Sequence, residues 1–226
     1  MSLVLRVALI LAPFFLFGCS IHVGDGVCWG RHGVRGSGVV ATVAHERPTF
    51  TRVEVRGALE LVVEIGPPTP VEVSGDDNIL PHLRIEVVGD RLIVEPRHSI
   101  SPRCPLVVRA TSPDLREIEA SGATEVVVHG LDAAVLSLDV SGASEVRVDG
   151  RCDHLEAEVS GASDLELTEL VAETAEIEAS GASDADLRVD ADLHARVSGA
   201  ASVRNHGPGA VRGHVSGAGS LEPRSG

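Results

Sequence analysis

Aromatic residues are scarce in this 226-residue sequence, and lysine is missing altogether. There is no tyrosine, tryptophan occurs once, and Phe50 is the only phenylalanine beyond residue 17. A core therefore has to be built from valine, leucine, isoleucine and alanine. The scarcity of aromatic rings also argues against an extended platform of stacked rings for carbohydrate binding.

Positive charge is also in short supply. The formal net charge is −14, and every cationic side chain is an arginine or a histidine. A chain with this balance is not built to bind nucleic acid or an anionic membrane surface. We therefore expect no nucleic-acid partner.

Familiar catalytic and cofactor motifs are absent from the sequence. It contains no Gly-x-Ser-x-Gly, no P-loop, no dinucleotide-binding glycine fingerprint and no His-Glu-x-x-His. We expect a protein without enzymatic activity, cofactor or dedicated metal site. The alternative is a carbohydrate-active β-helix enzyme of the envelope, which would need an arginine and two converging carboxylates in a groove.

The feature that dominates the chain is a short phrase, Ser-Gly-Ala, which recurs every 18 to 20 residues. A fixed period of this size is typical of repeat architectures. We predict that the serine and glycine of each copy form a structural turn, because glycine adopts bend conformations that a Cβ hinders. So many equivalent serines suit a corner better than a single nucleophile. The predicted turn residues are Ser121, Gly122, Ser141, Gly142, Ser160, Gly161, Ser180, Gly181, Ser198, Gly199, Ser216 and Gly217.

Apolar and polar residues alternate on both sides of each copy. Leu136, Leu138 and Val140 precede the Ser141 copy, and Val146 and Val148 follow it. Period two indicates strands with one buried face. A unit of about 20 residues cannot bury that face alone, so stacking units into a parallel β-solenoid is favoured. A β-sandwich is the alternative, which the narrow spread of the period disfavours.

Several segments together resemble a known bacterial family. They are the Ser-Gly-Ala-Ser/Thr turns followed by an acidic and an apolar residue, Gly36-Ser37-Gly38, and the stretches 50–55 and 74–80. The sequence is similar to the family described as putative auto-transporter adhesin, head GIN domain, over about residues 36–222. The resemblance implies a right-handed parallel β-helix in a secreted or envelope protein. It supplies no catalytic residues.

The N-terminus predicts export. Residues 1–18 combine Arg6, an apolar run and a small residue at Gly18, which is typical of a signal peptide. The following Cys19 resembles the lipidated residue of bacterial lipoproteins, and Ser20 suggests the outer membrane by the same resemblance. We expect a membrane partner through a lipid anchor. A cleaved secreted protein and an uncleaved anchor are the alternatives.

The rest of the chain is predicted to contain one folded domain. Residues 19–45 are interpreted as a glycine-rich tether, and residues 46–222 as the solenoid, with an irregular capping part at 46–115 and regular repeats at 116–222. Within the irregular part, residues 53–63 and then Val71–Asp76 fit the repeat template. Residues 83–94 predict either a hairpin or a degenerate coil.

Aligning the copies on their serines places acidic residues in outward columns. Like charges directly opposed across strands are unfavourable, and two hypotheses explain the columns: a Ca²⁺ site or a solvated acidic face that discourages aggregation. The last coils carry histidines at 194, 206 and 214 instead, either as a metal or pH-sensing cluster or as surface residues. The columns at four before, two before and four after the serine are Glu117, Ser137, Glu156, Glu176, His194, Arg212; Glu119, Asp139, Glu158, Glu178, Arg196, His214; and Glu125, Glu145, Asp164, Asp184, Ser202, Ser220.

The sequence predicts a non-enzymatic structural or binding module of the cell envelope, an adhesin-like lipoprotein whose ligand is a surface glycan or a protein. The cysteine count leaves any disulfide pairing among Cys28, Cys104 and Cys152 open, because three thiols cannot all pair. The oligomeric state and the side of the membrane that the domain faces are also open.

Overall fold

A computed structural model describes residues 33–223, which form an all-β unit of seventeen strands and one 3₁₀ turn at Leu80–His82. The strands are β1 Val34–Arg35, β2 Val40–His45, β3 Arg52–Gly57, β4 Glu60–Ile65, β5 Val71–Asp76, β6 Leu83–Val88, β7 Arg91–Pro96, β8 Ile100–Ser101, β9 Val107–Ser112, β10 Glu117–Gly122, β11 Glu125–Val140, β12 Glu145–Val159, β13 Asp164–Ala179, β14 Asp184–Gly199, β15 Ser202–Asn205, β16 Ala210–Gly217 and β17 Ser220–Glu222.

Successive coils stack in parallel, and the predicted β-solenoid is confirmed. The stretches before the corners form one parallel stack: β7, β3, β10, the second halves of β11 to β14, and β16. The stretches after the corners form a second: β9, β4, the first halves of β11 to β14, β15 and β17. We call the outward surfaces of these two stacks face A and face B. The right-handed sense of the helix stays a prediction.

The register between coils matches the alignment of the copies on their serines. Ser137 pairs with Glu117 below it and Glu156 above it, and the shift of one full repeat is kept along the stack. Inward columns are therefore aliphatic ladders. Leu138 and Ile177 are 2% and 1% exposed, and the side chains between them are buried in the same way. This confirms the aliphatic core expected from the lack of aromatic residues.

At each corner the glycine of one coil lies on the glycine of the coil before. All six phrase glycines have positive φ, between 76° and 101°. The alanine N–H that follows each donates to the carbonyl of the glycine below, for example Ala162 to Gly142 at 2.8 Å. A Cβ on these glycines would lie 2.4–2.7 Å from that carbonyl oxygen, closer than carbon and oxygen can approach without a shift.

The fourth residue of the corner closes the turn. Ser144, Ser163 and Ser183 are buried, and each hydroxyl donates to the carbonyl of the serine three residues earlier, at 2.9–3.1 Å. These hydroxyl groups thus satisfy corner carbonyls inside the fold. They were part of the sequence pattern but not among the predicted turn residues.

The irregular N-terminal part contains one regular coil. Residues 52–65 stack directly below β10 and β11, with Gly57 beside Gly122, as the repeat template predicted. Residues 83–96 are an antiparallel hairpin whose second strand, β7, also joins the parallel stack on β3. Of the two alternatives predicted for residues 83–94, the structure has the hairpin, which covers one edge of the solenoid.

The interpretation of Val71–Asp76 as a further coil was wrong. This strand, β5, runs antiparallel to both β2 and β9 instead of stacking in parallel on a repeat. The sequence pattern could not separate the two arrangements, because parallel and antiparallel strands share the period of two. Together, β2 and β5 extend the sheet beyond β9 at the end opposite β17.

The folded unit also begins earlier than residue 46. Gly36 and Gly38 wrap around the Asp76 carboxylate, which accepts backbone N–H groups of Gly38, Arg103 and Cys104 at 2.6–3.0 Å. Asp76 is fully buried, and these bonds hold its pKa at about 2. The C-terminal part of the predicted tether is therefore ordered: its Gly38 N–H helps to satisfy this buried carboxylate, and its strand β2 pairs with β5.

Residues 1–32 lie outside the described part of the chain, and with them the predicted signal peptide, Cys19 and Cys28. Within the described part, Cys104 and Cys152 are free thiols that are not bonded to each other. Cys152 faces the core, and burial is the main cause that raises its pKa to about 11.

Candidate binding groove

Face A presents two outward columns of side chains along the solenoid axis. They are the positions four and two residues before each corner serine, and the strand register stacks them one coil apart, roughly 4.8 Å. The inward residues between them, such as Ala157 and Ile177, are buried. The two columns thus form the walls and the sheet backbone forms the floor of a groove.

This groove has a volume of about 640 Å³ and crosses six coils, from Glu117 at one end to Arg212 at the other. Its walls are the residues of the two columns: Glu117, Ser137, Glu156, Glu176, His194 and Arg212 on one side, and Glu119, Asp139, Glu158, Glu178, Arg196 and His214 on the other. Its length and regular walls suit an elongated ligand better than a compact one.

One end of the groove is closed by an ion-pair network around Arg91. This guanidinium contacts Glu117, Glu119 at 2.5 Å and Glu54 at 3.2 Å. Arg91 lies on the capping hairpin, so it neutralises the first acidic coils. The other end is basic: Arg196 pairs with Glu178 at 2.5 Å, and Arg212 pairs with Asp192 at 3.1 Å.

The middle of the groove is acidic and unneutralised. Within residues 33–223, Asp139, Glu158 and Glu176 take part in no ion pair, and Glu156 has only His154 at 3.7 Å. All four side chains are exposed. Stacked carboxylates without cations repel one another, so this stretch of the groove attracts positive charge.

On face B, arginine side chains pair with most of the acidic column. Arg147 contacts Glu125 at 2.8 Å, Glu166 at 2.7 Å and also Glu145. Arg204 contacts Asp184, Asp186 and Glu222 at 3.3–3.9 Å. Two arginines inserted into the neighbouring column therefore pair with three of the four carboxylates of the face B column, and within residues 33–223 Asp164 takes part in no ion pair. The same chain leaves the centre of face A unpaired.

Comparison with known proteins settles the family. The sequence matches the model of the family described as putative auto-transporter adhesin, head GIN domain, over residues 49–209. The chain belongs to the head GIN domain family. No curated protein matches its sequence.

Solved structures of other bacterial proteins share the fold of this head GIN domain. A putative adhesin from Bacteroides fragilis has a TM-score of 0.69 at 18% identity, covering 84% of this chain and 100% of its own. A putative adhesin from Parabacteroides merdae gives 0.54 at 18%, covering 85% and 99%. A protein from Parabacteroides distasonis described as a putative lipid binding protein gives 0.53 at 16%, covering 86% and 100%.

The predicted histidine cluster is divided between the two faces of the head GIN domain. His194 and His214 line the groove, whereas His206 lies on face B and contacts Asp186 at 2.8 Å. Across residues 33–223, no three or more His, Cys, Asp or Glu side chains are arranged to hold a metal ion. In that same range, no helix is long and apolar enough to cross a membrane.

The groove does contain an arginine beside carboxylates, the feature that would favour an enzyme. However, Arg91 donates to Glu54, Glu117 and Glu119 together, so these groups are engaged with one another. The family is described as a putative auto-transporter adhesin. The arrangement is therefore an ion-pair network at one end of the groove.

Sequence reasoning found the two acidic columns but missed the groove and its neutralised ends. Arg91 and Arg147 are the residues that decide which carboxylates remain free, and neither belongs to the repeat phrase. The sequence did offer a signal for Arg147. The equivalent position in neighbouring repeats holds a valine or an acidic residue, and here it holds an arginine. For Arg91 no such signal existed, because its partners are 26 to 37 residues away.

Proposed function

We propose that this head GIN domain is a non-enzymatic binding module of the cell envelope and that the face A groove is its binding surface. One observation carries the proposal: among residues 33–223 Asp139, Glu158 and Glu176 in the middle of the groove take part in no ion pair, whereas inserted arginines pair with three of the four carboxylates of the face B column. Retaining more of this repulsion on face A than on face B is expected when face A serves a ligand.

The groove chemistry favours a ligand that is elongated and carries positive charge. Six coils of wall provide length, and Asp139, Glu158 and Glu176 provide unshared acceptors. A glycan with amino groups and a basic stretch of protein both meet these requirements. Family membership supports an adhesin-like role, and one relative's description as a putative lipid binding protein concerns that relative alone.

The test is binding of the labelled protein to a panel of intact bacterial and epithelial cells. We expect saturable binding that weakens as salt rises, because exposed charge pairs are screened. Incubation with the same cells should release no soluble sugar. Release of oligosaccharide would favour the β-helix enzyme alternative, and the absence of saturable binding to any cell type would contradict the proposal.

We further propose that the domain is anchored through a lipid on Cys19, in the outer membrane. The support is the signal-like sequence of residues 1–18 and the family's description as an adhesin. Substituting Cys19→Ala should move the protein from the membrane fraction to the soluble fraction. An unchanged fractionation would refute the anchor. Protease treatment of intact cells, with a periplasmic control protein, then shows which side the domain faces.

A further inference from the structure

The strand β2, Val40–His45, ends the face B sheet and, among residues 33–223, has a neighbouring strand on one side only. It pairs antiparallel with β5. The Val39 carbonyl accepts the Asp77 N–H at 2.9 Å. Because hydrogen-bonding direction alternates along an antiparallel strand, residues 39, 41, 43 and 45 point their backbone groups to β5. The N–H and C=O groups of Val40, Thr42 and Ala44 therefore point away from the sheet.

Apolar side chains of β2 and of Val39 just before it remain exposed at this edge. Val43 lies beside Val73 on the core side of the sheet, yet it is 40% exposed while Val73 is 1% exposed. Val39 and Val40 are 59% and 63% exposed. One more strand beside β2 would bury these valines and pair the free backbone groups at the same time.

The edge carries no charge from Val39 to Ala44, in a chain whose net charge is −14. The strand at the opposite end of the same sheet, β17, differs: it has only three residues and ends in Glu222. Short length and charged residues protect an edge strand from pairing, and a neutral β-branched edge invites it. The end with β2 is thus compatible with a second copy of itself.

We propose that β2 pairs with β2 of a second copy about a two-fold axis through Thr42. In this register Thr42 lies opposite its counterpart, and Val40 lies opposite Ala44 of the other copy. These are the residues whose backbone groups are free, so each pair can exchange two hydrogen bonds. Val43 lies opposite Ala41 of the other copy, so a large side chain packs beside a small one. No two charged side chains are brought together in this pairing. The interface is isologous and closes on two copies.

The test is cysteine cross-linking of the full chain in intact expressing cells. In an antiparallel hydrogen-bonded pair the Cα atoms are about 5.5 Å apart, which lies within the range that a disulfide spans. Mild oxidation should therefore link two Thr42→Cys chains into a dimer. The controls are the unsubstituted chain, which reports any linkage through native cysteines, and Thr168→Cys, a half-buried threonine of an interior coil. We expect the yield of disulfide-linked dimer to be about tenfold higher for Thr42→Cys than for either control.

Reactivity of Thr42→Cys towards a maleimide separates the outcomes. Dimer with Thr42→Cys alone supports the pairing. Monomer with a reactive thiol shows that the edge is open and overturns the proposal. Monomer with a protected thiol also overturns it, and assigns the edge to another occupant, such as the segment before residue 33 or a different protein.

A charge placed on the axis provides an independent check. Thr42→Glu brings two carboxylates face to face in the proposed dimer, and like charges directly opposed across strands are unfavourable. In a chain that carries both Val40→Cys and Ala44→Cys, each introduced cysteine lies opposite the other type in the second copy, and a bis-maleimide can link the two copies. Adding Thr42→Glu to this chain should lower the yield of cross-linked dimer about tenfold. An unchanged yield, with the melting temperature retained, would contradict the two-fold register.

Discussion

Two glycines with the same backbone conformation but different surroundings separate conformational cost from steric cost. Gly161 has φ +83° and a Cβ there would lie 2.4 Å from the Gly142 carbonyl oxygen, whereas Gly130 has φ +75° and open space around it. Alanine at Gly130 should cost about 1 kcal/mol through its positive φ alone. Alanine at Gly161 should cost about 3 kcal/mol, because overpacking against a stacked backbone is added.

The measurement is the free energy of unfolding of both variants by denaturant titration. Equal losses for Gly161→Ala and Gly130→Ala would contradict the stacked-corner role, since only the backbone conformation would then matter. The sequence could predict the glycine corners, because the repeat itself marks them. It did not predict that the hydroxyl groups of Ser144, Ser163 and Ser183 would close the turn. A polar residue at that position of the repeat does not indicate that its side chain is buried, as these three are.

Asp76 makes stability depend on pH in a defined direction. Its pKa is held at about 2, below the usual 3.8, chiefly by the Cys104 N–H and also by those of Gly38 and Arg103. A depressed folded-state pKa contributes stability above the unfolded pKa, and this contribution is lost as pH falls. Asp76→Asn should therefore lower the melting temperature at pH 7, and the difference from the unsubstituted protein should shrink between pH 4 and pH 2.

Melting curves of both proteins across that pH range give the answer. A difference that stays constant with pH would show that hydrogen-bond geometry, and not ionisation, accounts for the role of Asp76. This carboxylate could not be assigned from sequence. Its donors come from residues 38, 103 and 104, which only the folded chain brings together.

At the scale of strands and columns, arginines inserted into face B hold acidic neighbours together. Arg147 contacts three carboxylates on three coils, whereas Arg151 contacts Asp132 alone and is 73% exposed. Arg147→Met should lower the free energy of unfolding by about 1 kcal/mol at low salt. Arg151→Met should change it by less than about 0.5 kcal/mol.

The loss for Arg147→Met should diminish in about 1 M salt, because the repulsion among Glu125, Glu145 and Glu166 is then screened. Denaturant titrations at low and high salt measure this. A loss independent of salt would instead indicate that the arginine acts by packing its aliphatic stem.

Element type was largely predictable from the sequence, and element pairing was not. Alternation with period two identifies the strands, and the fixed 18–20 residue step identifies parallel stacking wherever the phrase recurs. Val71–Asp76 shares the same alternation but pairs antiparallel with β2 and β9. The period alone carries no strand direction, so the cap could be recognised as irregular but its topology could not be derived.

For the whole molecule, the groove depends on side chains that no single repeat encodes. Six coils set its length, Arg91 of the capping hairpin neutralises one end, and Arg196 and Arg212 of the last coils make the other end basic. The acidic columns followed from the sequence because the repeat aligns them. Their division into neutralised and free carboxylates required the fold, because the arginines reach them from other coils.

The most direct test of the groove compares two sets of three neutralised carboxylates. One variant carries Asp139→Asn, Glu158→Gln and Glu176→Gln in the centre of the groove. The matched control carries Glu169→Gln, Glu173→Gln and Asp190→Asn, which are likewise exposed and take part in no ion pair among residues 33–223, but lie off face A. Both variants change the net charge equally.

The measurement is the apparent Kd of each labelled protein for the intact cell type that the unsubstituted protein binds. If the groove is the binding surface, the groove variant should bind about tenfold more weakly, equivalent to about 1.4 kcal/mol, and the control should bind as the unsubstituted protein does. Equal weakening of both variants would show that net charge alone governs binding. Unchanged binding of the groove variant would place the binding surface elsewhere and contradict the central claim.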